Sequence, residues 1–155
     1  MINISKIFVT FFYIGFSKVI PGTVGSLAAL IFISIINLYL SKIIFYLIFV
    51  LVFLLSIYMI DYYQRSVNKK DPSEIIIDEF LGIYFIFLFL DNIKNINNFL
   101  LITLIFFLFR FFDVLKPFPI NYIDRKITSS LGVILDDILA AFYTILCIII
   151  INEFI

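Results

Sequence analysis

Five apolar runs separated by polar breaks organise the chain: Leu27–Leu40, Ile43–Ile60, Phe80–Leu90, Phe99–Phe109 and Ile138–Ile151. The second, "IIFYLIFVLVFLLSIYMI", is 18 residues without a charge, the length of a membrane-crossing helix. No run alternates with period two, and all are too long and uniform for barrel strands, so helices are predicted. Read as one helix, Leu27–Ile60 would be ~51 Å long, against a hydrocarbon core of ~30 Å. A break at Ser41-Lys42 makes it a helical hairpin. Polar stretches at Asp61–Glu74 and Asp91–Asn98, and a long connection at Lys116–Asp137, separate the later runs. The fourth run continues less cleanly to Leu115. Phe80–Leu90 covers only ~16 Å as a helix. Either such a helix does not fully span, or it extends through its charged ends; a compact bundle sunk partly into one leaflet is the alternative. Ahead of the first run, Lys6 and the apolar stretch Ile7–Phe16 lack a small-residue cleavage site, which predicts an interfacial amphipathic helix rather than a cleaved signal. The expected fold is all-α: one domain over residues 1–155, an integral membrane bundle of about five apolar helices with an N-terminal interfacial helix.

Composition supports the membrane class. The chain is 64% hydrophobic and 14% charged, whereas soluble domains are roughly half apolar and a quarter charged. An AT-rich codon bias toward Ile, Phe, Asn and Lys accounts for part of this hydropathy. Eleven basic residues balance eleven acidic ones, so no basic surface points to nucleic acid. The single cysteine, Cys147 in "ILCIII", reads as a small core residue and rules out a disulfide framework. The chain contains no histidine, which removes imidazole bases, nucleophiles and metal ligands.

Charge placement adds an orientation. With the N-terminus inside and five helices alternating, Lys6, Lys18, Arg65, Lys69, Lys70, Arg110, Lys116, Arg125 and Lys126 fall on the inner side, and Lys42 and Lys94 on the outer. Nine against two satisfies the positive-inside rule. That rule does not act on acids, yet Asp78-Glu79, Asp113 and Asp136-Asp137 also gather at the inner ends of apolar runs. Charges at helix ends ordinarily mark the interface, and Arg110, Asp113 and Lys116, spaced by three, can simply pair along one helix face. Three acidic sites converging on one side favour a function. Carboxylates of this kind suit Mg²⁺, and nearby Arg and Lys suit phosphate oxygens. In "PGTVGSL" (Pro21–Leu27), Thr23 and Ser26 offer hydroxyls and N-caps ahead of the first apolar helix, whose N-terminus could hold an anion.

Four segments, "PGTVGSL" at Pro21–Leu27, "IIIDEFLG" at Ile75–Gly82, "FRFFDVLKPFPI" at Phe109–Ile120 with "DRK" at Asp124–Lys126, and "LGVILDDILAA" at Leu131–Ala141, occur in the order found in a known family. There the chain resembles the phosphatidylglycerophosphatase A family. Ser130 and Ala141 stand where that family often has glycine. The resemblance implies an all-helical, Mg²⁺-dependent lipid phosphatase of the bacterial inner membrane, with its site on the cytoplasmic side. It would act on a phospholipid, converting phosphatidylglycerophosphate to phosphatidylglycerol and inorganic phosphate. It also implies that Asp78, Glu79, Asp113, Asp136 and Asp137 form the metal-binding and catalytic set, and that Arg110, Lys116 and Arg125 contact phosphate; Thr23 and Ser26, from the helix start read above, are further candidates for that contact. Either water or a carboxylate attacks phosphorus. A phosphatidyl-group transferase would open its signature with Asp-Gly, which does not occur here. A transporter would need polar residues through the depth of the bundle, but Ile43–Ile60 and Ile138–Ile151 carry only Ser56 and Thr144.

Overall fold

The computed structural model describes residues 2–69, 72–90, 93, 95–127 and 129–154. Among them are helices α1 (Ile2–Val9), α2 (Pro21–Tyr39), α3 (Lys42–Val67), α4 (Ile77–Phe87), α5 (Asn98–Leu115), α6 (Ile120–Lys126) and α7 (Ser130–Phe154), and no strand. Four of them, α2, α3, α5 and α7, are long and apolar enough to cross a membrane. Their outward residues are apolar, as Ile43, Leu47, Val50, Leu51 and Leu54 are on α3. Side chains that find no protein partner there suit lipid contact.

The four long helices outgrow the runs that announced them, for local reasons. Helix α2 starts at Pro21, where a missing N–H costs nothing in the first turn. Its neighbour α3 runs past Ile60 through the expected polar loop to Val67. An Arg65–Asp61 pair at 2.9 Å supports that last stretch, and Asn68 ends it in a left-handed conformation. Leu40 and Ser41 are extended between α2 and α3, forming the predicted hairpin turn. The Asn97 side chain caps α5, accepting from Leu100 N at 2.8 Å. That helix stops at Leu115, and Lys116 turns left-handed ahead of Pro117. Two further corrections concern short helices. The N-terminal helix is Ile2–Val9, not Ile7–Phe16: Phe11, Phe12 and Tyr13 all have positive φ, which no α-helix tolerates. The connection after Lys116 contains α6.

The largest departure is α4. It is 11 residues long and too short to cross, and every residue except Glu79 and Phe85 is buried. Helices α2, α3, α5 and α7 pack around it, with α2 and α7 as its main neighbours. Gly82 permits the close approach, since a Cβ there would press into the Phe109 ring and the Asp137 backbone. At its C-terminal end, Tyr46 Oη donates to Leu88 O and Tyr84 Oη donates to Phe45 O, both at 2.9 Å. These bonds place the end of α4 beside the start of α3. Its N-terminus therefore opens at the opposite end of the bundle, where α2 and α7 begin and α3 and α5 finish. Lys42 lies at the far end from these motifs, as the charge count requires. Lys70, Asp71, Asp91 and Lys94, also used in that count, lie outside the described residues.

Candidate active site

The segment leading into α4 is fixed by its neighbours. Ile76 N donates to Val9 O at 3.0 Å, and Tyr63 Oη donates to Glu74 Oε1 at 3.1 Å. The next turn carries Asp78 and Glu79, in the first turn of a helix, where the dipole favours negative charge. Helix α7 brings Asp136 and Asp137 from its second turn, both buried. Helix α5 supplies Arg110 and Asp113 from its last turns, and Lys116 follows as its cap. Together with Asp124 of α6, these helices wall a cleft of about 240 Å³, lined by Asp78, Glu79, Asp113, Lys116, Asp124, Asp136 and Asp137 among others.

Within the cleft the acids divide. Asp78, Glu79 and Asp137 each offer an oxygen, and these oxygens all lie within 4.8 Å of one another. Asp78 Oδ1 and Glu79 Oε2 are buried and accept no hydrogen bond. Among the described residues the cation in contact with this trio is Arg110, whose Nη1 lies 3.8 Å from Glu79 Oε1. Buried like charges with open lone pairs are costly, and a hard divalent cation with oxygen ligands relieves that cost. The donor set therefore fits Mg²⁺ or a similar ion. Asp113 and Asp136 are held differently. Arg110 Nη1 donates to Asp113 Oδ2 in a short ion pair. Lys116 Nζ donates to Asp136 Oδ2 and to Asp124 Oδ1, each at 2.6 Å. Burial works against the Lys116 charge, but these two hydrogen bonds outweigh it and raise the ammonium pKa above its ordinary value.

Of the residues proposed from sequence, the structure gathers Asp78, Glu79, Asp113, Asp136, Asp137, Arg110 and Lys116. Ser26 sits beside them, its Oγ 3.4 Å from Arg110 Nη1, but it is not an N-cap. It lies inside α2 and donates to Gly22 O at 2.7 Å. Thr23 is likewise inside α2, half-buried and away from the cleft lining, because the helix begins at Pro21 rather than after the motif. The glycine of that motif which touches the site is Gly22, where a Cβ would run into the Glu79 carboxylate and the Arg110 guanidinium. Arg125 is exposed and does not line the cleft. Its neighbour Asp124, not singled out from the sequence, does. Its signal was position in "DRK", where the acid faces Lys116 across the Pro117–Pro119 turn. Ser130 and Ala141, the departures from the glycine pattern, are both buried in α7.

A family model described as phosphatidylglycerophosphatase A matches residues 7–152. A Haemophilus influenzae protein named phosphatidylglycerophosphatase A is 38% identical over 129 residues, covering 83% of this chain and 76% of its own. An Escherichia coli protein of the same name is 30% identical over 126 residues, covering 81% and 70% respectively. A Bacteroides thetaiotaomicron protein with the provisional name phosphatidylinositol-3-phosphatase is 30% identical over 141 residues, covering 86% and 84%. No solved structure matches the chain with significance.

Proposed function

The chain belongs to the phosphatidylglycerophosphatase A family, and from that premise we propose that its cleft hydrolyses phosphatidylglycerophosphate to phosphatidylglycerol and inorganic phosphate. It is a membrane protein whose substrate is a phospholipid. We place it in the bacterial inner membrane with the cleft toward the cytoplasm, on the strength of the nine-to-two distribution of basic residues. One observation carries the reading: a converged carboxylate trio and two carboxylate-held cations meet in one cleft at one end of an apolar bundle.

Asp78, Glu79 and Asp137 would hold Mg²⁺, which when bound supplies Lewis acidity toward a phosphoryl oxygen and water. The remaining groups serve the phosphate. Lys116 presents an ammonium to its oxygens, fixed in place by Asp124 and Asp136. Arg110 is held by Asp113 and by Ser26 Oγ, and its buried Nε has no acceptor, which leaves a donor for an anion. Net hydrolysis breaks the bond between phosphorus and the glycerol oxygen, puts a water oxygen on phosphorus, and returns a proton to the glycerol oxygen. Among the described residues the titratable groups lining the cleft are carboxylates and Lys116, so a carboxylate accepts the proton that water gives up.

The test is phosphate release by the purified protein in detergent, from phosphatidylglycerophosphate, phosphatidic acid, phosphatidylinositol 3-phosphate and glycerol phosphate, with Mg²⁺ or chelator. Fastest release from the first lipid, abolished by chelator, is expected. No release from any lipid overturns the activity. Undiminished release with chelator discards the metal. Faster release from the inositol lipid moves the substrate to that of the Bacteroides relative. Orientation is tested by labelling single cysteines placed at Lys42 and Asn121 in a Cys147→Ala background. Labelling of Asn121→Cys from outside intact cells would invert the topology.

A further inference from the structure

The proposed substrate carries two phosphates, and the cleft accounts for one. The monoester is the reacting group. The diester joins the same glycerol to the lipid and stays at the membrane surface, one three-carbon arm away. We propose that Arg125 binds this diester, and so selects a lipid with a second phosphate over one without. The inference rests on the phosphatase reading above.

Asp124 lies in the cleft wall, bonded to Lys116. Arg125, the next residue of the same helix, does not line the cleft, is exposed, and pairs with no described carboxylate. A helix turns about 100° per residue, so Arg125 projects between the cleft-facing side of α6, marked by Asp124, and the side marked by Tyr122. That second side is interfacial in character. Tyr122 and the preceding Phe118 are exposed, and Lys126 Nζ stacks over the Tyr122 ring at 5.7 Å. Exposed aromatic rings flanked by cations sit at headgroup depth. Arg125 thus lies on the rim, between the pocket for the monoester and the level at which the diester lies. Lys126 is engaged with a ring and Lys116 with two carboxylates, which leaves Arg125 as the cation on this helix available to a rim phosphate.

Arg125→Ala and Arg125→Lys would be assayed in detergent on phosphatidylglycerophosphate. Two product inhibitors would be used: phosphatidylglycerol, which has only the diester, and inorganic phosphate, which mimics only the monoester. Arg125→Ala should raise KM roughly tenfold with kcat little changed, the loss of one charge-assisted hydrogen bond to a ligand. It should weaken inhibition by phosphatidylglycerol by the same factor and leave inhibition by phosphate unaltered. Arg125→Lys should recover part of both losses. Equal weakening of the two inhibitors would move Arg125 to the monoester and overturn the proposal. Unchanged inhibition by phosphatidylglycerol would also overturn it. Wild-type protein that releases no phosphate from this lipid would remove the underlying activity instead, a result distinguishable because it appears before any variant is made.

Discussion

Asp113 and Asp136 each accept a hydrogen bond from a cation, whereas Asp78, Glu79 and Asp137, in the same cleft, lie against one another, with Arg110 reaching only Glu79, at 3.8 Å. The first pair is electrically settled in the protein as it stands, and fixes the direction in which Arg110 and Lys116 point. The second set is not: two of its oxygens are buried without a hydrogen bond. The difference teaches a division of labour that residue type alone conceals. On the function proposed above, the paired acids would organise the cations that meet phosphate, and the converged acids would hold a metal and handle protons.

Neutralising the converged set should give the largest effect. Asp78→Asn and Asp137→Asn should each lower turnover by about a thousandfold or more, the scale of losing a metal ligand or catalytic group. Mg²⁺ should raise the thermal midpoint of the wild type and leave that of either variant unchanged. In chelator the same variants should melt higher than wild type, because a buried repulsion has been removed. Wild-type turnover in both variants would make the trio structural.

Breaking the paired set should cost less. Lys116→Ala should lower kcat/KM by roughly a hundredfold, in the range for removing a preorganised phosphate contact. Asp136→Asn should cost only about tenfold, since on this view it acts by orienting Lys116. The double variant decides: if Asp136 acts through Lys116, Lys116→Ala with Asp136→Asn is no worse than Lys116→Ala alone. Multiplying losses would show an independent role for Asp136.

A smaller change should come from the helix that backs both sets. Gly22→Ala puts a methyl into the Glu79 carboxylate and against Arg110. The Glu79 carboxylate must give way by roughly 1 Å, which should lower kcat by roughly tenfold while leaving the protein folded. Gly22→Ala at wild-type kcat would show that the contact yields freely.

The least effect on activity is expected at the opposite end of the bundle. There Asn152 accepts from Asn95 N at 3.0 Å and its carbonyl accepts from Asn95 Nδ2 at 2.8 Å. Asn152→Ala removes the first of these bonds and should reduce stability by about 1 kcal/mol. Turnover should stay within roughly twofold, as expected of a site remote from the cleft. A large drop in turnover would mean that the two ends are coupled.

By itself, the sequence determined the all-helical membrane bundle, the hairpin at Ser41, the stop after Leu115 and the gathering of acids at one end. Each depends on information carried locally: an apolar run of the right length, a proline, a sign bias across the chain. Helix ends were less legible, because Pro21, Asp61 and Ser130 are compatible with helix or loop, and capping and neighbouring contacts settle them. Tertiary structure alone decided that α4 is an enclosed half-length helix. It also decided that Asp137 joins Asp78 while Asp136, one residue away, turns to Lys116, and that Asp124 rather than Arg125 faces the cleft. Those outcomes join residues on different helices, up to about sixty positions apart in the chain, and a step of about 100° around a helix assigns adjacent acids to different partners. Periodicity can say that two neighbours diverge, but only the packed helices say what each one meets.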